Sequence, residues 1–408
     1  MTGFIHINGL LKKIPLCLVV LFMCAQTAAA DEITAVWARL YERARTLPQK
    51  QQIMMNIVEQ HNRDMIPVMT DALDQEIRSF RNTSGITQKR MQIDLMTVIV
   101  RELGRLKAAE SDAVLMETVR ITKDPILKGE AVLSLGKTGA RQYSDQLALM
   151  LRNLNFNMDG IQNQRENEIE AYALVRALEL LRSESGFEPV FFASLGWYST
   201  QSGVKERARR ALVVMVDDPS EQLSSILLNN INYEYKLAAL EAEEKSTAPE
   251  DRKAELAASG LDEGLKYSPK NLAEKGQLKT LRLYAMEMMK KYPEPDDPGL
   301  LQNMRRMVAL YQGDRVFQED EMITLMETMG TFKGEDTARI LSDFLEYYNL
   351  RRDAGPPDSY RIVKSLIQAL GTVGHRAGLE ELTMVSISDS WEASVKREAS
   401  AAIEKINR

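Results

Sequence analysis

Residues that could hold a metal ion or act as nucleophiles are few in this chain and lie far apart. Both cysteines, Cys17 and Cys24, precede residue 30, and the histidines that follow it are His61 and His375. A zinc site needs Cys or His ligands at short, regular spacings, and no such spacing occurs. A glycine-rich phosphate loop and a nucleophile elbow are also missing from the sequence. We therefore predict no catalytic residue, no metal site and no cofactor.

Paired carboxylates are the other possible source of chemistry. Asp217–Asp218 and Asp296–Asp297 both lie beside prolines. A calcium loop needs alternating ligands and a glycine at its sharp turn, which neither stretch provides, so helix caps or solvated loops are the favoured interpretation. General acid–base catalysis would need two carboxylates from distant segments to converge, which spacing along the chain does not reveal.

Two stretches could bind a partner. The densest basic cluster lies at 205–210, but on a helix its side chains point to at least two faces, which favours a solvated surface over a phosphate cleft. The stretch PVFFASLGWYS at 189–199 is the most apolar after residue 30. A buried helix explains it, and a groove that anchors a partner is the alternative. The partner-binding residues predicted from the two stretches are Phe192, Trp197, Tyr198, Arg209 and Arg210.

Residues 1–30 have the pattern of a secretory signal peptide. Two lysines precede an apolar run of about 12 residues, and small side chains lead to a cleavage site after Ala30. The run is shorter than the roughly 20 residues that span a bilayer, so we expect no transmembrane helix in the mature chain. Export to the periplasm is the expectation. A lipoprotein anchored through Cys24 is the alternative, although the bulky Phe22 and Met23 do not match a lipidation box.

The overall composition limits the class of partner. The chain has a hydrophobic content of 44%, a charged content of 27% and a formal net charge of −6, and removal of the signal segment with its lysines makes it more acidic. These values are typical of a globular protein. Nucleic acids and anionic membranes attract basic surfaces, so we predict a protein or peptide partner and no nucleic acid.

Two similar phrases, AVLSLGKTG at 131–139 and LIQALGTVG at 366–374, indicate an internal repeat. Around them, residues at i, i+4, i+7, i+8 and i+11 are mostly apolar, and these positions form one face of a helix. Several other segments fit this frame. Their i+8 residues, here called anchors, are Val58, Leu103, Leu135, Leu178, Leu212, Met289, Met329, Leu370 and Ile403. Most anchors lie about 32–45 residues apart, and one double gap leaves room for a degenerate unit near Leu240; this period is typical of two-helix solenoid repeats.

Glycines mark the turn in both phrases. Gly139 and Gly374 end the helix, where a left-handed residue is needed. Gly136 and Gly371 each follow an anchor, where the missing side chain permits a neighbouring helix to approach closely. A second helix should follow each turn. Since neither helix buries its apolar face alone, we expect stacked units to share one continuous core.

The segments LKGEAVLSLGKTGARQYSDQLALML and VKSLIQALGTVGHRAGLEELTMV resemble HEAT repeats, including the short bilin-lyase-like form with its A-x-x-x-L-G-x-x-G core. The second segment departs from that core by placing Leu366 where the alanine is expected. The resemblance implies an all-α, armadillo-like fold, a right-handed alpha-alpha superhelix of about 8–10 helix pairs. It implies HEAT-like repeats over 31–216 and 301–408, with degenerate helical repeats and charged loops over 217–300. The middle segment resembles a tetratricopeptide-like helix pair nearly as well.

Three functions are compatible with such a fold. The first is an exported, non-catalytic scaffold that binds another protein in the cell envelope along a helical groove. The second, implied by the likeness to bilin lyases, is an enzyme that uses acidic residues of the concave face. The third is a lipid-anchored envelope adaptor. The sequence favours the first, and the oligomeric state and the identity of the partner are left open.

Overall fold

The computed structural model describes residues 32–156, 163–293, 298–314 and 316–408, and within these ranges the regular structure is entirely helical. The predicted signal segment, with Cys17 and Cys24, lies outside them. The chain divides into two compact units between Val216 and Asp217. The predicted all-α solenoid class is confirmed by the helix arrangement inside each unit.

The first unit contains ten described helices. Residues 32–43 form α1. The others are α2 (Leu47–Glu59), α3 (Ile66–Phe80), α4 (Ile86–Arg105), α5 (Asp112–Ile121), α6 (Pro125–Thr138), α7 (Ser144–Phe156), α8 (Gln164–Leu181), α9 (Phe187–Leu195) and α10 (Val204–Met215).

The second unit contains ten more helices in its described residues. They are α11 (Ser220–Asn229), α12 (Tyr233–Lys245), α13 (Glu250–Lys266), α14 (Leu272–Lys291), α15 (Pro298–Asp314), α16 (Glu319–Met329), α17 (Glu335–Arg351), α18 (Tyr360–Val373), α19 (Leu379–Ile387) and α20 (Ala393–Asn407). Residue 300, where the sequence analysis ends its middle segment, lies inside α15, so the helices do not break there.

Each unit is built from two rows of helices. From α2 onward in the first unit and from α12 onward in the second, every even-numbered helix packs against the next even-numbered helix of its unit, forming the even row. The odd-numbered helices form the odd row. From α3 onward, each of them packs against the even-numbered helix that follows it in the chain. Contacts between successive repeats therefore bury the apolar face of each helix, which is the arrangement expected of a solenoid.

The repeat predicted from the sequence corresponds to the even row. All nine anchors lie on even-numbered helices, and Leu240 supplies the missing one on α12. Anchors such as Leu135, Leu240 and Leu370 are fully or almost fully buried. Val58 on α2 and Ile403 on α20 are half-buried.

The glycines after the anchors set the distance between even-numbered helices. A Cβ on Gly136 would lie 2.6 Å from the Cα of Ala177, and a Cβ on Gly371 would lie 3.0 Å from the Cα of Ala402. In both cases the facing residue is the small one just before the next anchor. Gly139 and Gly374 end their helices with φ angles of 83° and 73°. Both roles predicted for these glycines are confirmed.

Two glutamates interrupt the apolar frame, and the structure shows how each is accommodated. Glu102 is buried, with oxygens 2.7 Å from Arg105 Nη2 and 3.2 Å from His61 Nδ1. Glu170 lies 2.7 Å from Lys128 Nζ on the preceding even-numbered helix. A buried carboxylate is tolerated when a cation and hydrogen bonds compensate for its lost hydration.

The middle segment departs from the repeat pattern because charges replace apolar side chains in its core. Lys236 and Glu263 are both buried and form an ion pair of 2.7 Å, and Lys236 also donates to the carbonyl of Leu227. Arg282 donates two hydrogen bonds to Glu321 and a third to the carbonyl of Gly264. The helices of the middle segment pack in the same two rows as the other helices of the second unit, although the hydrophobicity pattern alone makes this segment look degenerate.

Candidate binding cleft

A cleft of about 860 Å³ opens between the first half of α8 and the turn that precedes α10. The α8 residues that line it lie at 164, 165, 168, 169 and 172, a spacing that puts them on one side of the helix. The opposite side, with Leu174 and Leu178, is buried in the core. The residues that line the cleft are Gln164, Arg165, Glu168, Ile169, Tyr172, Ser199, Gln201 and Ser202.

Glu168 ties the two walls of the cleft together. Its Oε1 accepts hydrogen bonds from the backbone amide of Ser199 at 2.6 Å and from the side chain of Gln164 at 3.0 Å. Partial burial disfavours the charged carboxylate, but the hydrogen bonds from Ser199 and Gln164 outweigh that effect and lower the pKa of Glu168. The turn is therefore held against α8 by a charged acceptor, and the cleft has a fixed wall.

The opening of the cleft combines a free cation with apolar surface. Arg165 is exposed, and no carboxylate of the described residues pairs with it. Tyr172 is 39% exposed and lies seven residues further along the same side of α8. A guanidinium binds carboxylates through paired hydrogen bonds, and a tyrosine ring covers aliphatic or aromatic side chains.

A smaller cleft in the second unit is less suited to a charged ligand. Its volume is about 360 Å³, and its walls come from α12 and α14. Lys291 lies 3.0 Å from Glu244, and Lys290 lies 2.7 Å from Glu287 and 2.9 Å from Glu327. These charges are already compensated, so a ligand would have to displace existing ion pairs.

Phe192 and Tyr198, two of the predicted partner-binding residues, are buried and do not line the cleft. Tyr198 is 1% exposed and its hydroxyl donates to Asn155 Oδ1 at 2.8 Å, while Phe192 is 8% exposed and packs edge-on against Phe191. The hydrogen bond from Tyr198 joins the turn after α9 to the end of α7. The buried interpretation of the apolar stretch is the one the structure supports for these two side chains.

The other predicted residues do not line the cleft. Trp197 is half-buried, and its indole nitrogen donates to the carbonyl of Leu154 at 3.0 Å. Arg209 and Arg210 are exposed on α10, where Arg210 pairs with Glu206 on the same helix at 2.9 Å. The structure does not test whether these three residues bind a partner.

The serine and histidine side chains that could take part in a reaction instead make hydrogen bonds that stabilise the fold. In the cleft, the Ser202 hydroxyl donates to the carbonyl of Ser199 at 2.7 Å. His375 begins a short turn and accepts the amide of Ala377. His61 stands at the end of α2 and contacts Glu102. Within the described ranges, no group of three or more His, Cys, Asp or Glu side chains is arranged to hold a metal ion. No described helix has the length and the apolar composition needed to cross a membrane.

The cleft itself was missed by sequence reasoning because its two walls lie about 30 residues apart and are joined by a backbone amide. The only local signal is the mixture of polar, charged and aromatic side chains on one side of the first turns of α8. That mixture looks like an ordinary solvated face until the turn at 199–202 is placed opposite it.

Comparisons with known proteins add little to this description. No family model matches the chain, and no curated protein matches its sequence. Among solved structures, human deoxyhypusine hydroxylase is similar at 12% identity and a TM-score of 0.28, covering 94% of this chain and 98% of its own. Importin beta is similar at 11% identity and a TM-score of 0.32, covering 93% of this chain and 63% of its own. Likenesses this weak indicate neither ligand nor activity.

Proposed function

We propose that the chain is a HEAT-like, non-catalytic scaffold that binds an extended segment of another protein in the cleft beside α8. The proposal rests on one observation. Arg165, which pairs with no carboxylate of the described residues, lies beside Tyr172 and Ile169 in a cleft whose second wall is fixed by Glu168. A segment that carries an acidic side chain next to an apolar one fits this combination. A nucleic acid does not, because Arg165 is the one cation among the described residues that line the cleft.

We also propose that the protein acts in the cell envelope after export, which is supported by the signal-like pattern of residues 1–30. The mass of the mature N-terminus tests this proposal. A chain that begins at Asp31 supports export, whereas a lipid-modified Cys24 would favour the anchored adaptor. A chain that keeps its first thirty residues contradicts both.

Site-specific photo-crosslinking tests the cleft. A photoreactive amino acid replaces Tyr172 in one variant and the comparably exposed Tyr267, outside the cleft, in another. We expect a discrete protein adduct from position 172 and none of the same mass from position 267. The proposal is wrong if neither position, or both equally, give that adduct.

Charge-reversal variants distinguish binding in the cleft from binding at the arginines of α10 that the sequence suggested. Arg165→Glu should reduce the adduct at position 172 about tenfold or more, since it replaces attraction by repulsion. Arg78→Glu, on another exposed arginine, in α3 and paired with Asp74, is the control and should leave the adduct unchanged. If Arg209→Glu abolishes the adduct and Arg165→Glu does not, the binding surface lies on α10 and the cleft assignment fails.

A further inference from the structure

The start of α11 holds two carboxylates on one serine hydroxyl. Ser220, the first residue of the helix, places its Oγ 2.5 Å from Asp218 Oδ1 and 2.5 Å from Glu243 Oε1. Glu243 belongs to α12 and is fully buried, whereas Asp218 is exposed. The hydroxyl is therefore a bridge between the solvent side and the buried side of the helix contact.

Counting protons shows that this arrangement is incomplete when both carboxylates are charged. A serine hydroxyl carries one proton, and an ionised carboxylate only accepts. Contacts of 2.5 Å between oxygens require a proton between them, because the two oxygens otherwise repel each other. Ser220 can supply one of the two contacts, so the other needs a proton from a carboxyl group.

We infer that Glu243 carries this proton in the folded chain, and that its loss at higher pH loosens the packing of α11 on α12. The protonated Glu243 donates to Ser220 Oγ, and Ser220 donates to Asp218. Burial raises the pKa of Glu243, and the hydrogen bond from Ser220 lowers the pKa of Asp218, so both shifts have the direction that this proton path requires.

The surrounding charges do not replace the proton. Lys253 of α13 is the cation that faces Glu243, but its Nζ donates to the carbonyl of Ser246 at 2.9 Å and lies over the ring of Tyr292. Arg252 of α13 acts on Asp218.

On the side of α14, Tyr284 and Lys291 donate hydrogen bonds to the carboxylate of Glu244 and not to that of Glu243. The Ser246 hydroxyl is 3.5 Å from Glu243 Oε2 and also donates to the carbonyl of Glu243. The described neighbours thus include no ammonium or guanidinium group bonded to the Glu243 carboxyl.

The direction of the pH effect follows from linkage. The folded chain holds the Glu243 proton more tightly than the unfolded chain does. Its contribution to stability is complete below the ordinary pKa of a glutamate and declines as pH rises through the raised pKa. The second unit should therefore lose stability with rising pH through this group, in contrast to carboxylates that are paired with cations.

Glu243→Gln tests the inference because an amide can donate to Ser220 permanently. In the full chain, we expect the variant to unfold at a higher temperature than the wild type at about pH 8, by about 2–4 °C, with the difference vanishing at about pH 4. Glu241→Gln, on the same helix and paired with Lys245 in the described part of the chain, is the matched control and should follow the wild type. Parallel curves for all three proteins would overturn the inference.

A spectroscopic readout on the wild type keeps the test independent of the variant's folding. The carbonyl stretch of a protonated carboxyl should persist in the infrared difference spectrum above the pH at which ordinary glutamates ionise, remain in the Glu241→Gln variant and disappear as pH rises further. Amide exchange over 220–245 should accelerate over the same pH range once its intrinsic pH dependence is corrected. Loss of the band at the pH where ordinary glutamates ionise contradicts the inference, whatever the variant does.

Discussion

At the scale of single residues, Gly136 is the position where side-chain volume decides the packing. The next even-numbered helix presents the backbone of Ala177 to it, and a backbone cannot rotate out of the way as a side chain can. Gly276 provides the opposite case, because a Cβ added there meets nothing within 4 Å on an exposed helix face.

Alanine substitutions at Gly136 and Gly276 should change the free energy of unfolding in opposite directions. Gly136→Ala should lower the free energy of unfolding by about 1–3 kcal/mol, since overpacking forces α6 and α8 apart. Gly276→Ala should raise the same free energy by about 0.5–1 kcal/mol, since alanine favours the helix. Urea denaturation of the two variants and the wild type measures both. Two stabilising changes would show that the even row does not require the close approach.

At the scale of elements, the turn at 199–202 depends on one carboxylate of α8. The Ser199 amide donates to Glu168, and the geometry of the cleft follows from this link between a loop and a helix. Hydrogen bonds to a charged acceptor contribute about 1.5–3 kcal/mol, more than those to a neutral one.

We expect Glu168→Gln to free the turn while leaving α8 folded. Amide exchange at 199–202 should become about tenfold faster, and the crosslink at position 172 should weaken. Because the pKa of Glu168 is lowered, the link in the wild type is complete above the ordinary pKa of a glutamate and is lost as pH falls through the lowered value. Glu166→Gln, two residues earlier in the sequence and outside the cleft lining, is the control and should leave exchange at the turn unchanged.

At the scale of the whole molecule, the two-row architecture makes stability a property of neighbours. Each even-numbered helix contacts the even-numbered helices before and after it in its unit, so the free energy of a repeat is shared mainly with those two. A local defect should therefore lower the stability of the neighbouring repeats and not of the entire chain.

Hydrogen exchange of the Gly136→Ala protein tests this expectation. Protection should fall most in α6 and α8, less in α4 and α10, and least in α2, because the substituted contact joins α6 to α8. The Gly276→Ala protein serves as the reference that carries a substitution without a defect. A uniform loss of protection across the first unit would mean that its repeats unfold as one cooperative body.

The sequence by itself determined the helical class, the repeat period and the even row. A recurring apolar face can be buried only against another copy of itself, and every anchor lies on an even-numbered helix, where that rule puts it. It also placed a degenerate unit near Leu240, and that residue lies on α12, where the buried pairs Lys236–Glu263 and Arg282–Glu321 disguise the pattern of the second unit.

Only the tertiary structure decided which polar groups meet. The turn at 199–202 reaches Glu168, Ser220 reaches Glu243, and Tyr198 turns inward to Asn155, in each case across 20 to 45 residues of chain. A periodic pattern specifies the face of a helix that is buried, because burial depends on the sum of many apolar side chains. A hydrogen bond depends on the position of single atoms to within a few tenths of an ångström, which no local pattern encodes.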